Sequence, residues 1–189
     1  MRKLHRLQRA WLSWLLFRED RRGVSAVEFA LLAPVCILAY FGTAELSEAM
    51  MTQRRTSHAS SAIGDLATQY ATLKTTDVSN IFAAASIIMQ PFSTTPLQMR
   101  MTSITLQANG KATVDWSQPW GAGMTGYSAG TVMTTIPTGL LVNAGDNIVM
   151  SEAKYAYTSP AAYVIRNGLS FSNTFYLRPR SGAMIPCCS

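Results

Sequence analysis

The residues of this chain whose types and spacing could do chemistry point to a reaction done to it rather than by it. Gly23 ends a basic stretch at Arg21-Arg22. Five residues further on, Glu28 is the single charged side chain in the 21 residues from Val24 to Ala44. Ordinary globular packing has no use for an acid there. A membrane segment that is cut after a glycine and then recognised by its new N-terminal ammonium does. Catalytic chemistry of the chain's own is hard to assemble. The histidines are His5 and His58, so a His-dependent site rests on His58 alone. The three cysteines, Cys36 and the adjacent Cys187 and Cys188, form no C-x-x-C and no zinc spacing. Gly121-Ala122-Gly123 lacks the lysine and the following Ser/Thr of a phosphate cradle. The expectation is no enzyme, no cofactor and no metal.

The elements that must position Gly23 and Glu28 are a basic leader and an apolar helix. The chain has 189 residues, room for one modest domain and an anchor. Its net charge of +6 is uneven: residues 1–23 carry seven basic and two acidic side chains, and the remainder nine and eight. Charge placed on a leader, not on a folded face, argues against nucleic acid. It fits a cytoplasmic flank. Leu4, Leu7, Trp11, Trp14 and Leu15 recur at helical spacing opposite the arginines, as in a helix lying on a membrane surface. Residues 24–44 then cover roughly 30 Å as a helix, one hydrocarbon thickness, with Pro34 bending it gently. A core helix and a secretory signal cut near Gly42-Thr43-Ala44 are the competing readings. Length, and an acid placed at Glu28, favour the anchor.

Beyond the membrane the helical pattern persists to about residue 73. Leu46, Ala49, Met50, Ala59, Ala62, Ile63, Leu66, Ala67 and Tyr70 form one stripe, with Arg54, Arg55 and Asp65 off it. Thr75-Thr76-Asp77 offers the N-cap of a second helix with Val78, Ile81, Phe82, Ala85, Ile88 and Met89 on one side, ended by Pro91. After Pro96 the period becomes two. Residues 99–106 and 112–116 read as a hairpin. A two-residue Asn109-Gly110 turn sets Ile104 against Asp115. A three-residue loop, Ala108-Asn109-Gly110, pairs Leu106 with Ala112 and Ile104 with Val114, and is preferred. Residues 121–130 read as a glycine-rich surface loop, 131–136 as a short strand, 147–157 as the clearest strand, and 173–177 as the last. In residues 147–157, Val149, Ala153, Tyr155 and Tyr157 face one way, Glu152 and Lys154 the other. The fold class is α+β: a long N-terminal helix (first half transmembrane, second half amphipathic), a second short helix, then a small antiparallel sheet packed on the helix. The expected divisions are a leader at 1–23, a membrane helix at 24–44, a helical spine at 45–73 and an α+β domain at 74–189.

Gly23 followed by Val24-Ser25-Ala26-Val27-Glu28-Phe29 and Ala30-Leu31-Leu32-Ala33-Pro34 resembles the class III signal of type IV pilin-like proteins. In this form it is similar to the TadE-like minor pilins, or pseudopilins, of tight-adherence (Flp) pili. Residues 136–140 and 153–160, and Arg178-Pro179-Arg180 near a terminal cysteine, look like the same family. Major Flp pilins are little more than leader and helix, with Tyr after the glutamate. Phe29 and the sizeable domain here resemble a minor subunit of the TadE or TadF kind. The resemblance implies cleavage of the leader between Gly23 and Val24 by a prepilin peptidase, with Glu28 and Phe29 serving processing and assembly. It implies as partners the bacterial inner membrane, the peptidase, other minor pilins, the major Flp pilin and the inner-membrane assembly platform. The N-terminus is then cytoplasmic and the C-terminal domain periplasmic, where Cys187 and Cys188 are disulfide candidates, within the chain or to another. A tethered periplasmic binding or adhesin module with an uncleaved anchor is the alternative function; a secreted protein that discards residues 1–44 is a third.

Overall fold

The computed structural model describes residues 23–188, and the leader helix expected at residues 4–15 lies outside them. Two compact units meet between Ala44 and Glu45. α1 spans Val24–Thr68 and includes Pro34. In the first unit its side chains are uncovered: Val27, Leu31, Leu38 and Tyr40 are all more than half exposed. With a mean hydropathy of 2.0 in its most apolar window, α1 is long and apolar enough to cross a membrane.

The second unit starts at Glu45. α2 covers Thr75–Ile88. Its N-terminal cap is Lys74, one residue before the expected threonines, and the Asp77 carboxylate accepts the Lys74 backbone N–H at 3.0 Å. Four strands follow: β1 Leu97–Leu106, β2 Ala112–Trp120, β3 Asn147–Tyr157 and β4 Leu169–Leu177. They form one antiparallel sheet in the order β2-β1-β3-β4. The β1–β2 loop is the three-residue one. Leu106 faces Ala112, Ile104 faces Val114, and Gly110 takes the left-handed conformation at φ 76°. Asp115 is the extra residue of a bulge opposite Ser103 and Ile104. Its carboxylate accepts bonds from Ser103, Thr105 and the Asn147 amide.

The helical stripe differs from the expected one. α1 ends at Thr68, and Leu46, Met50 and Tyr70 are exposed. The buried face is Ala49, Thr52, Thr56, Ala59, Ser60, Ile63, Gly64 and Ala67. Small residues line it because the helix backbone comes close to the sheet. Ser60 Oγ bonds the Ser151 carbonyl of β3 at 3.0 Å and the Asn173 carbonyl of β4 at 3.2 Å. A Cβ on Gly64 would overlap Leu177 Cδ1 and lie 2.8 Å from Ser151 Oγ. Hydroxyls inside a helix are poor helix formers, but Thr52 and Thr56 turn theirs back onto the carbonyls of Glu48 and Thr52. Around this contact Phe82, Met89, Leu97, Met99, Met101, Val149 and Ala153 close the main core.

The other face of β3 is also covered. Ile104, Val114, Ile148 and Met150 form a second cluster against Tyr127, Met133, Ile136 and Leu141. Glu152, expected on an outer face, is buried and ion-paired with Arg100, which also bonds Thr125 O and Tyr127 Oη at 2.7 Å each. The glycine-rich loop is therefore a lid on the sheet. It leaves β2 through Gly121, at φ 92°, where a Cβ would overlap Leu97 O. The strand expected at residues 131–136 is reduced to one bridge between Thr113 and Val132, because this segment turns its apolar side chains under the sheet instead of extending along β2. β4 begins four residues before the expected start. The C-terminal tail is tied down: Leu73 N–H donates to Pro186 O, Cys188 N–H to Leu73 O, and Trp116 Nε1–H to Ile185 O at 2.7 Å.

The close approach of α1 gives a direct prediction. Gly64→Leu should lower stability by about 1–3 kcal/mol through overpacking, whereas Met50→Ala on the exposed side should stay within about 0.5 kcal/mol of the parent. Chemical denaturation of the full chain in detergent measures both. Equal midpoints for the two variants would contradict the packing described.

Candidate functional site: two carboxylates at the ends of an apolar helix

Gly23 is exposed, and a Cβ there would meet nothing within 4 Å. Val24 is 51% exposed and Phe29 is 72% exposed; Glu28 is exposed as well. All three residues belong to α1. Val24 and Glu28 stand four residues apart on a helix, so both lie on one face, one turn from each other. Among the described residues no basic side chain forms an ion pair with Glu28.

The second carboxylate is Glu45, the charge that ends the apolar run. Glu45 is 4% exposed. It accepts the backbone N–H groups of Tyr163 at 2.7 Å, Val164 at 3.1 Å and Ile165 at 2.9 Å. These amides, Ile165 first, hold its carboxyl below the usual glutamate range in spite of its desolvation. The loop they belong to is shaped for the purpose. Ala162 N–H donates to Ser159 Oγ, Ala162 adopts φ 51°, and Gly168 closes the loop where a Cβ would lie 2.7 Å from Tyr157 O. One turn along α1, Glu48 accepts the Tyr157 hydroxyl at 3.3 Å. Burial, and secondarily the Glu48 charge, push that phenol above its ordinary value. Glu45 shares the buried face of α1 with Ala49 and Thr52 at helical spacing, but its partners lie more than a hundred residues away in sequence.

Beside Glu48 an open pocket of about 480 Å³ is lined by Pro91, Phe92, Tyr155, Tyr157 and Pro160 among others, without histidine, cysteine or lysine. No cluster of His, Cys, Asp and Glu among the described residues is arranged for a metal. Cys187 and Cys188 are joined to each other as a vicinal disulfide, and both pack against the main core. Cys36 is a free, exposed thiol on α1. The structure thus gathers Gly23, Val24, Glu28 and Phe29 at the start of one helix and places the cysteine pair in the other unit.

Residues 23–64 match the family model of TadE-like proteins. The match begins at the candidate cleavage glycine and ends at the glycine of closest helix–sheet approach, so it contains both carboxylates. It is consistent with a TadE-like protein of the tight-adherence pilus system. No curated protein and no solved structure matches the chain.

The amide clamp on Glu45 sets a pH dependence. A carboxyl with a lowered folded value contributes stability that is fully present above its unfolded value, about 4.3 for glutamate. That contribution is lost as pH falls through the folded value. Hydrogen-exchange protection at Tyr163, Val164 and Ile165 should therefore fall in acid below that point. In Glu45→Gln it should be low and independent of pH. Equal acid responses in the two proteins would show that another group holds the loop.

Proposed function

We propose that this chain is a minor pilin, or pseudopilin, that takes part in assembling a tight-adherence pilus. Its leader is removed by a prepilin peptidase between Gly23 and Val24. The observation that carries this reading is an exposed Gly23, shortly before Glu28, at the head of an uncovered apolar helix inside the TadE-like segment. The N-terminus lies in the cytoplasm, residues 24–44 sit in the inner membrane, and the domain from Glu45 onward is periplasmic. The basic leader supports that orientation.

The mechanism is packing, not catalysis. A carboxylate near the membrane edge costs less than the roughly 2.5–3.5 kcal/mol found at the bilayer centre. It still favours an opposite charge, and cleavage supplies one. The new ammonium at Val24 neutralises Glu28 within the chain or in a neighbouring pilin, so that correct processing and correct docking are coupled through one ion pair. The exposed side chains of residues 24–44 then pack against other pilin helices, while the periplasmic unit meets other minor pilins.

Replacing the carboxylate separates this reading from a tethered module. Glu28→Ala should leave protein level, membrane localisation and the fold of the domain intact while piliation drops roughly tenfold or more, the scale of a lost partly buried ion pair; Glu28→Asp should retain part of it. Filament counts by electron microscopy, beside quantitative blotting of membranes, read both. Normal piliation in Glu28→Ala would overturn the assigned role.

A further inference from the structure

We propose that the loop of residues 158–168 is a second membrane contact, in which Tyr163 and Val164 enter the headgroup region and Arg166 meets lipid phosphates. The proposal rests on the anchor reading given above. It starts from where Glu45 stands. That residue follows the last position of the apolar run, Ala44, and its carboxylate binds the backbone of Tyr163, Val164 and Ile165 directly. The loop is consequently held within one side chain and one hydrogen bond of the point at which the chain leaves the hydrocarbon. The interfacial zone is about 5–10 Å deep, so a segment tied at that point lies inside it.

The loop's composition suits that zone. Tyr163 is 53% exposed and Val164 is 60% exposed, and Arg166 beside them is exposed too. A tyrosine puts an apolar ring and a polar hydroxyl across a boundary that has both characters. An arginine lays its stem on apolar surface and its guanidinium on phosphate. Isolated exposed apolar residues mean little by themselves, and the chain contains the control. Val142 is 65% exposed in another loop that a carboxylate also holds, Asp146 accepting the Val142 and Asn143 N–H groups. That loop precedes Asn147 at the start of β3, whereas residues 158–168 follow Tyr157 at its end. Eleven strand residues separate the two, roughly 35 Å at the usual rise. Of two equally exposed valines, one is tied to the membrane exit and the other is not. The contact gives the domain a second attachment to the bilayer besides the helix, which fixes its tilt and height for docking.

The test places a fluorescent amino acid by codon suppression at Val164, Val142 or Ile37 of the full chain. Each protein is reconstituted in vesicles of phosphatidylethanolamine and phosphatidylglycerol that carry nitroxide lipids. Headgroup nitroxide should quench position 164 at least roughly twofold more than position 142, as expected for a site within the interface. Arg166→Ala should reduce that difference. Ile37, inside the apolar run, should be quenched by nitroxide on the acyl chain. Equal headgroup quenching at 164 and 142 with Ile37 quenched overturns the loop contact and leaves the anchor standing. Shielding of position 164 from iodide without lipid quenching also overturns it, because protein then covers the loop. An unquenched Ile37 overturns the anchor, and the contact with it.

Discussion

The fold depends on how close α1 can come to the sheet. Ser60 bonds carbonyls on two adjacent strands, and Gly64 leaves no room for a side chain against Leu177 and Ser151. That proximity dictates the buried face. Residues at four-residue spacing, Thr52, Thr56, Ser60 and Gly64, are small; Thr52 and Thr56 turn their hydroxyls onto their own helix and Ser60 onto the sheet, while Ile63 and the alanines supply apolar contact on either side. The larger apolar volume comes from α2 and from the methionines of β1, which fill the space the thin helix face leaves. A bulky stripe on α1 would force the helix away and strand the Ser60 hydroxyl in a dry interface, where an unmet hydrogen bond costs about 1–3 kcal/mol.

Two acids bracket the apolar run and are treated in opposite ways. Glu45 is held as an anion inside the chain by three backbone amides, a site made from a loop more than a hundred residues later in sequence. Glu28, among the described residues, has no ion-pair partner. In the proposed function, cleavage after Gly23 supplies a cation for Glu28 and so couples processing to assembly.

What the sequence revealed, and what it hid, follows from the range of the interactions involved. The apolar run, the bounds of β3 and the hairpin register were legible because each depends on local periodicity or on one turn; only the three-residue loop places Ile104 opposite Val114. The buried face of α1 was misread because hydrophobicity favoured Leu46 and Met50, while close approach selects for size. The covered outer face of β3 escaped notice because Glu152 looks like a solvent residue until Arg100 and the loop above it are in place. Residues 131–136 read as a short strand, yet Met133 and Ile136 are used to cover the sheet. The Glu45 clamp joins residues too distant in the chain for any local pattern to reveal.

The central claim is that this chain is made to be cut after Gly23. The most direct measurement is the N-terminal sequence of the protein recovered from bacterial membranes, with and without the prepilin peptidase. The account predicts a start at Val24 that is lost when the peptidase is absent. A start at Met1 in both strains would leave an uncleaved tethered module, and a start near Glu45 would leave a secreted one; either result contradicts it.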